Sequence, residues 1–559
     1  MQQIELLHAD RLFVGKNTPP GANALTGHVR LKHQNALMYC DSALLFKNNT
    51  LKAFGNVRIV ENDSLTVSSD SLVYDGNKRR AKLRGDVTID NKTSILKTRY
   101  LDYDRNTGVA HYFHGGEIDS KKEKIHLTSR SGYYYASAKL FHFKKMVVLV
   151  HSDYTIYTDT MHYSTGLEKT WFFGPTRIEF DNRTIFCERG WFDQLADKSV
   201  FIKNARIVSG HQTLSGDTIQ YDEREQIGIA HCNVNLADSN EKFEVQGDFA
   251  WYNEKDSLSF VTENLLLKQD LAGNTFYLVA DTLFSLYDTT SGKKQRIVKT
   301  YYNCRFYKSD LQGKCDSLVF YTNDSIIQLY RNPVMWTDEN QITADSLWLT
   351  LKNGTIDKMY MRRNAFIISK EDSVLFNQIK GSNMVGIFNN SRLTKVRVLG
   401  NGETVYYPRE EDGALIGVNE TRCSHMTILV DSNTIKRIHF YDKPTALLTP
   451  SDDMPPTGVR LDGFVLRFDE RPWSVTDLVS GTSTKPEVLQ PGTNQTTSKR
   501  DHPSPAANDG PDTRTGRESR VVEKPDENTP APHPPPQEKM PVPNSQSEMK
   551  NKKLEKTKQ

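Results

Sequence analysis

Apolar and polar positions alternate along most of this chain in short runs, and one run keeps returning. Ser69-Asp70-Ser71-Leu72-Val73-Tyr74 has clear copies in Thr158-Asp159-Thr160-Met161-His162-Tyr163, Gly216-Asp217-Thr218-Ile219-Gln220-Tyr221, Cys315-Asp316-Ser317-Leu318-Val319-Phe320 and Ala344-Asp345-Ser346-Leu347-Trp348-Leu349. Weaker copies centre on Asp41, Arg99, Arg130, Glu188, Asp248 and Asp281, so copies from 41 to 248 stand 29 or 31 residues apart. A second block falls about midway between them, as in Gly55-Asn56-Val57-Arg58-Ile59, Gly85-Asp86-Val87-Thr88-Ile89, Asn233-Val234-Asn235-Leu236 and Asn364-Ala365-Phe366-Ile367. Period-two alternation of Val, Ile, Leu and aromatic residues marks strands. The Gly/Asn or Asp pairs read as turns between strands, because these residues tolerate positive φ or bond their own backbone. The Asp of the first block is expected to tie down its turn by local side-chain hydrogen bonds. Each unit then reads turn, strand, turn, strand. The pattern predicts an all-β repeat array with almost no α-helix between residues 4 and 470.

Residues two apart share a face of a strand. Two and four positions after the repeat Asp stand Leu72 and Tyr74, Leu101 and Tyr103, Met161 and Tyr163, Ile219 and Tyr221, and Leu318 and Phe320. These ten form an apolar stripe expected to point inward. The position between them varies freely (Val73, Asp102, His162, Gln220) and reads as the more exposed face. The residue before the Asp is always small, and three of the six cysteines (Cys40, Cys187, Cys315) fall in that column. Free Cys packs as a small hydrophobe. Cys304 and Cys315 are near enough in sequence to leave pairing open.

Composition changes the picture mainly at one end. After Trp473 there is no Phe, Trp or Tyr, and thirteen of the 23 prolines lie between Pro486 and Pro543. Such a stretch buries too little apolar surface to offset its ordering entropy. The expected organisation is β-repeats over 1–260, more divergent β-repeats over 261–475, and a disordered Pro/Ser/Thr/Lys-rich tail over 476–559. The formal net charge is +3, from 72 basic and 69 acidic residues, which indicates no nucleic-acid footprint. The start, Met1 to His8, lacks the basic and apolar regions of a signal peptide. That fits a cytosolic protein or a chain beginning near a mature N-terminus.

Candidate chemistry is sparse. His111, His114 and Glu117 have a ligand-like spacing, but it needs a helix, and this segment reads as a turn flanked by strands. No C-x-x-C pair, P-loop or G-x-S-x-G elbow is present. The chain reads as a non-enzyme with no cofactor and no metal.

The grammar Gly55-Asn56-Val57, Asp70-Ser71-Leu72-Val73-Tyr74-Asp75, Gly85-Asp86-Val87 resembles the OstA/LptA-like family of lipopolysaccharide-transport proteins, and the opening Glu5-Leu6-Leu7-His8-Ala9-Asp10-Arg11-Leu12 is similar to the family's first strand. The similarity is strong over about residues 4–260, weaker to about 470, and especially close to the long OstA-like proteins of Bacteroidetes-type bacteria. It implies a repeat-built, semi-closed β-jellyroll in which two twisted sheets form a V with an apolar inner face. It implies a location in the periplasm of a Gram-negative bacterium. The implied partners are lipopolysaccharide, other transport components at the inner and outer membranes, and copies of the chain itself head to tail. Under that resemblance the ten stripe residues become candidates for a groove that shields acyl chains. Two alternatives stay open: a structural or adhesive envelope repeat with a filled core, and a β-solenoid acting on polysaccharide.

Overall fold

Long strands, most of 11 or 12 residues, follow one another from Ala22 to Tyr321, each hydrogen-bonded antiparallel to the next. The computed structural model describes residues 3–484, apart from 16–17, 62–64, 121–123, 241, 254, 272, 289–294, 390–391 and 432–433. The chain divides into two compact units, Met1–Glu487 and Val488–Gln559. The second unit, with the tail expected there, lies outside the described residues. The expected segments 1–260 and 261–475 fall within the first unit.

Each strand is bent near its middle. The pairing of Thr50–Glu61 with Leu65–Asp75 shifts register between Phe54 and Val57, and that of Leu65–Asp75 with Arg80–Asp90 between Ser68 and Ser71. At these points alternate strands carry two successive left-handed residues, as at Gly55/Asn56, Lys203/Asn204, Cys232/Asn233, Glu263/Asn264 and Arg363/Asn364. This corrects the sequence reading. The Gly/Asn block is not a turn between strands but a bulge inside one, where extra residues kink the ladder without ending it. A local pattern of positive-φ residues cannot distinguish the two, because both need the same backbone.

The repeat Asp is corrected with it. Its carboxylate does not close a local turn. It accepts a hydrogen bond from the bend of the following strand: Asn56 Nδ2 to Asp41 at 2.8 Å, Asn233 to Asp217 at 3.0 Å, Asn264 to Asp248 at 2.5 Å and Asn364 to Asp345 at 3.0 Å. Glu188 takes the same role toward Asn204 at 2.6 Å. The true turns use the acidic residue five positions later. Asp75 accepts from the backbone N–H of Asn77 and Lys78, and Asp222 from those of Arg224 and Glu225.

Because of the bend, the inward set changes parity within a strand. Along Leu65–Asp75, Val67 and Ser69 are buried before the bend and Leu72 and Tyr74 after it. The ladder therefore folds into two arms. The first holds 50–54, 71–75 and their successors. The second holds 57–61, 65–69 and theirs. Close approach at the bend explains Gly85, whose φ is +80° and where a Cβ would sit 2.0 Å from Asp70 Oδ2. Gly85→Ala is expected to cost ~1–3 kcal/mol. Gly210→Ala also has positive φ but meets nothing within 4 Å, and should cost less. Thermal denaturation of the two variants checks this order.

Past Pro450 the chain turns back over the outer face of the second arm. Three glutamines of that face hold it by their amides. Gln378 accepts from Leu461 N–H at 2.8 Å and donates to Val459 O at 2.7 Å, and Gln341 does the same with Arg467 N–H and Val465 O, both at 2.7 Å. Gln312 accepts from Arg471 Nε at 2.9 Å. Phe366, Ile368, Phe376 and Val405 pack beneath this strap with Leu461. It ends in the helix Val475–Ser480, capped by Ser474 and closed at Gly481, which touches the strands Asn274–Asp288 and Gln295–Lys308. Ordered structure thus runs past the tail boundary expected at 476. Composition hid it, because a short capped helix on a long sheet needs no aromatic residue of its own.

The strap also carries a pH prediction. Hydrogen bonds from Arg467 and Lys314, both 2.6 Å, outweigh partial burial and hold the Glu470 carboxyl down at about 2. A depressed carboxyl stabilises the fold fully above its ordinary value and loses that contribution as pH falls toward the folded one. Amide exchange over 465–471, corrected for its intrinsic pH dependence, should stay protected at pH 5 and lose protection as pH approaches 2.

Candidate functional site

The stripe expected to face inward does so at every position two after the repeat acid: Leu72, Leu101, Met161, Ile219 and Leu318 are each at most 4% exposed. Tyr74 is buried as well, Tyr103, Tyr163 and Phe320 are half-buried against the same core, and Tyr221 is half-buried. Between them Val73, at 40%, and Gln220 are exposed, but Asp102 and His162 are only half-exposed, in the same range as Tyr103 and Tyr163, so the contrast between the faces holds at two of the four positions.

Between the arms lies apolar empty space. The larger cavity, about 950 Å³, is walled by the first arm through Phe141, Met161, Tyr163, Phe172, Ile219 and Tyr221. The second arm contributes Ile118, Leu127, Ile156, Ile178, Phe180 and Leu214. A smaller one, about 250 Å³, lies toward the N-terminal side and is lined by Leu72, Tyr74, Leu101 and Tyr103 facing Ile59, Val67 and Leu96. The two share Asn91, Ser94, Ile118, Tyr134 and Phe141, so they adjoin along one interior. Between them Tyr112 lies across Gly116 and Gly132, with its hydroxyl 2.5 Å from Ser129 Oγ. Burial pushes that phenol up to about 12, so it stays neutral.

Where the tips of the arms approach, basic side chains span the gap. Arg105, at a first-arm turn, reaches Glu61 on the second arm at 2.7 Å. Arg79 reaches Gln34 at 2.8 Å, and His33 Nδ1 lies 2.7 Å from Tyr74 Oη. Farther on, Arg183 meets Glu223 at 3.3 Å and stacks on Phe180 and Tyr221. Arg105 is held slightly more basic than usual: burial pulls it down, but the Tyr74 hydroxyl and Glu61 outweigh that. The rim of the hollow is thus charged but paired, Arg105 with Glu61 and Arg183 with Glu223.

Eight of the ten stripe residues line one of these cavities. Leu318 and Phe320 line neither, which corrects their place among the groove candidates. The interior changes near Thr300. Neither of the two cavities extends past Arg296, and Phe306, Leu329, Met335, Met359, Met361 and Met384 beyond it are at most 2% exposed. Methionine fills irregular gaps readily, and the repeat persists around a closed core. The lining residues of the two cavities run from His33 to Arg296.

The stripe also captured only one wall. The second arm's inner residues, such as Ile59, Leu96, Ile118 and Leu127, sit in the opposite parity, beyond the bend. Their signal was present in the Gly-Asn-Val-x-Ile block, but reading that block as a turn hid its orientation. The His111-His114-Glu117 group lies within one strand, Val109–Ser120. His111 stacks on Tyr133 at 4.1 Å on the outer face, His114 sits at the bend with φ 67°, and Glu117 is exposed beyond it.

Comparison with known proteins adds one family. Residues 1–159 match the family model described as OstA-like protein. No curated protein matches the chain. Among solved structures the chain is similar to LptH from Pseudomonas aeruginosa, described as the LptA homologous periplasmic component of the conserved lipopolysaccharide transport device. Identity is 14% over 21% of this chain and 97% of that one, with a TM-score of 0.20.

Proposed function

We propose that this chain, OstA-like over residues 1–159, binds the acyl chains of lipopolysaccharide in the hollow between its arms and shields them on the way through the periplasm to the outer membrane. The observation that carries this reading is the interior of about 950 Å³ walled from both arms by apolar side chains. That is the upper end of the ~300–1,000 Å³ usual for ligand sites. Ten methylenes buried there are worth about 8 kcal/mol before the costs of association. The role is passive. The fold supplies an apolar surface, and no bond is made or broken.

Photocrosslinking side chains at Phe141, Tyr163 and Phe180, compared with Val73 and Gln220 on the outer face, test the reading in cells making lipopolysaccharide. The inner set should label lipopolysaccharide and the outer set should not. Equal labelling, or none, would leave the filled-core envelope repeat as the better account. Positions 318 and 320 should stay unlabelled, since the interior is closed there.

Among the described residues, the strands at either end of the sheet are paired on one side only. Glu5–His8 and Arg11–Phe13 pair on one side with Ala22–His33, and Thr434–Tyr441 and Thr445–Pro450 pair on one side with Gly417–Asp431. Leu12, Phe13, Leu447 and Leu448 are at least half exposed there. Unpaired edges of this kind recruit further strands, which supports head-to-tail association of copies. Leu447→Lys with Leu448→Lys should shift the sedimentation of concentrated protein toward monomer.

A further inference from the structure

We propose that Cys304 and Cys315 are a disulfide-forming pair that staples one bend of the array when the chain meets a disulfide oxidant. Both are thiols in this structure and both are buried. They lie directly opposite each other on the antiparallel strands Gln295–Lys308 and Leu311–Tyr321, at the first paired position beyond the bend. Directly opposed residues of such strands have Cα atoms about 4.5 or 5.5 Å apart. Disulfides accept about 4.4–6.8 Å.

The same inner corner recurs along the array, which shows what packing alone asks of it. The opposed pairs there are Val29 with Cys40, Val57 with Ser69, Val87 with Thr98, Val147 with Thr158, Val234 with Gly247 and Leu265 with Ala280. A small or β-branched residue satisfies the corner. Only at 304 and 315, among the corners named, do two thiols face each other. Cys304 Sγ lies 3.2 Å from Thr300 Oγ1 and donates to Asp316 O, next to Cys315 in the chain, at 3.3 Å.

With glutathione disulfide as oxidant, Cys304 thiolate attacks one of its sulfurs. A mixed disulfide forms and one glutathione thiolate leaves. Cys315, giving up its proton, attacks Cys304 Sγ and expels the second glutathione. Two protein thiols are oxidised and one glutathione disulfide is reduced to two thiols. The pair lies where the hollow gives way to the filled interior, so the bond would pin the closed end of the cavity. It is independent of what ligand the hollow takes.

The test uses the full chain, refolded with glutathione disulfide, then denatured, alkylated and digested for mass spectrometry. A linked peptide pair joining Cys304 to Cys315 is expected, lighter by two hydrogens than the free peptides, with Cys40, Cys187, Cys232 and Cys423 alkylated. Amide exchange in strands 295–308 and 311–321 should slow on oxidation and recover with reductant. Cys304→Val, which places at this corner the residue found at 29, 57 and 87, should fold and show neither effect. Full alkylation of both cysteines after oxidation, or a link from either to another cysteine, would overturn the proposal.

Discussion

Tyr163→Asp should lower acyl-ligand capture by more than tenfold while leaving the fold intact. Tyr163 is half-buried on the wall of the larger cavity, between Met161 and the second-arm residues Ile156 and Phe180. An ionised carboxylate there must either keep its water, which withdraws apolar surface from the ligand, or lose it. Losing hydration without a partner costs several kcal/mol. A loss of only 1.4 kcal/mol is already tenfold. The side chain is not fully enclosed, so the unliganded protein tolerates the change, and circular dichroism should be unaltered. Gln220→Glu, on the exposed face of its strand, should bind as the parent does. The measurement is titration with an alkyl-chain fluorophore, followed by crosslinking to lipopolysaccharide. Parent-like binding by Tyr163→Asp would remove the hollow from the account of function.

Phe306→Ala should be far more damaging to stability and harmless to ligand capture. Phe306 is 2% exposed, lies 5.6 Å from Phe276 and spreads over Gly313, where a Cβ would come within 2.1 Å of its ring. Truncating a fully packed Phe costs ~3–5 kcal/mol, because lost transfer energy adds to the cavity left behind. A repeat array need not unfold in one step, so the effect is best read as accelerated amide exchange in 295–308 and 311–321. The matching change in the hollow, Phe141→Ala, should cost less stability, since the ring already borders empty space, and should weaken acyl binding. If the two variants behaved alike, the division between a hollow portion and a filled one would be wrong.

Much of this architecture follows from local pattern. The 29- or 31-residue spacing of Asp70, Arg99, Arg130, Asp159, Glu188 and Asp217 reflects two strands and their links, so the repeat and its all-β character could be read directly. The face of the stripe could be read as well, since alternation within one arm is purely local: Leu72 and Tyr74 must point together and Val73 away. The small residue before each acid marks the inner corner, where two arms leave no room for more.

Three things were decided only by tertiary structure. The Gly/Asn pairs became bends rather than turns because the strand continues beyond them and finds a partner on both sides, and no local preference encodes that continuation. The repeat Asp found its donor on the next strand, 15 to 19 residues away in Asn56 and Asn364, instead of in its own loop. And the same apolar grammar puts Tyr163 on the wall of the larger cavity but leaves Phe320 outside both cavities. Alternation sets which way a side chain points. Whether the space it enters is filled depends on the volumes of residues brought in from the opposite arm and on how far apart the bend holds the two walls, and neither quantity is a property of any one stretch of sequence.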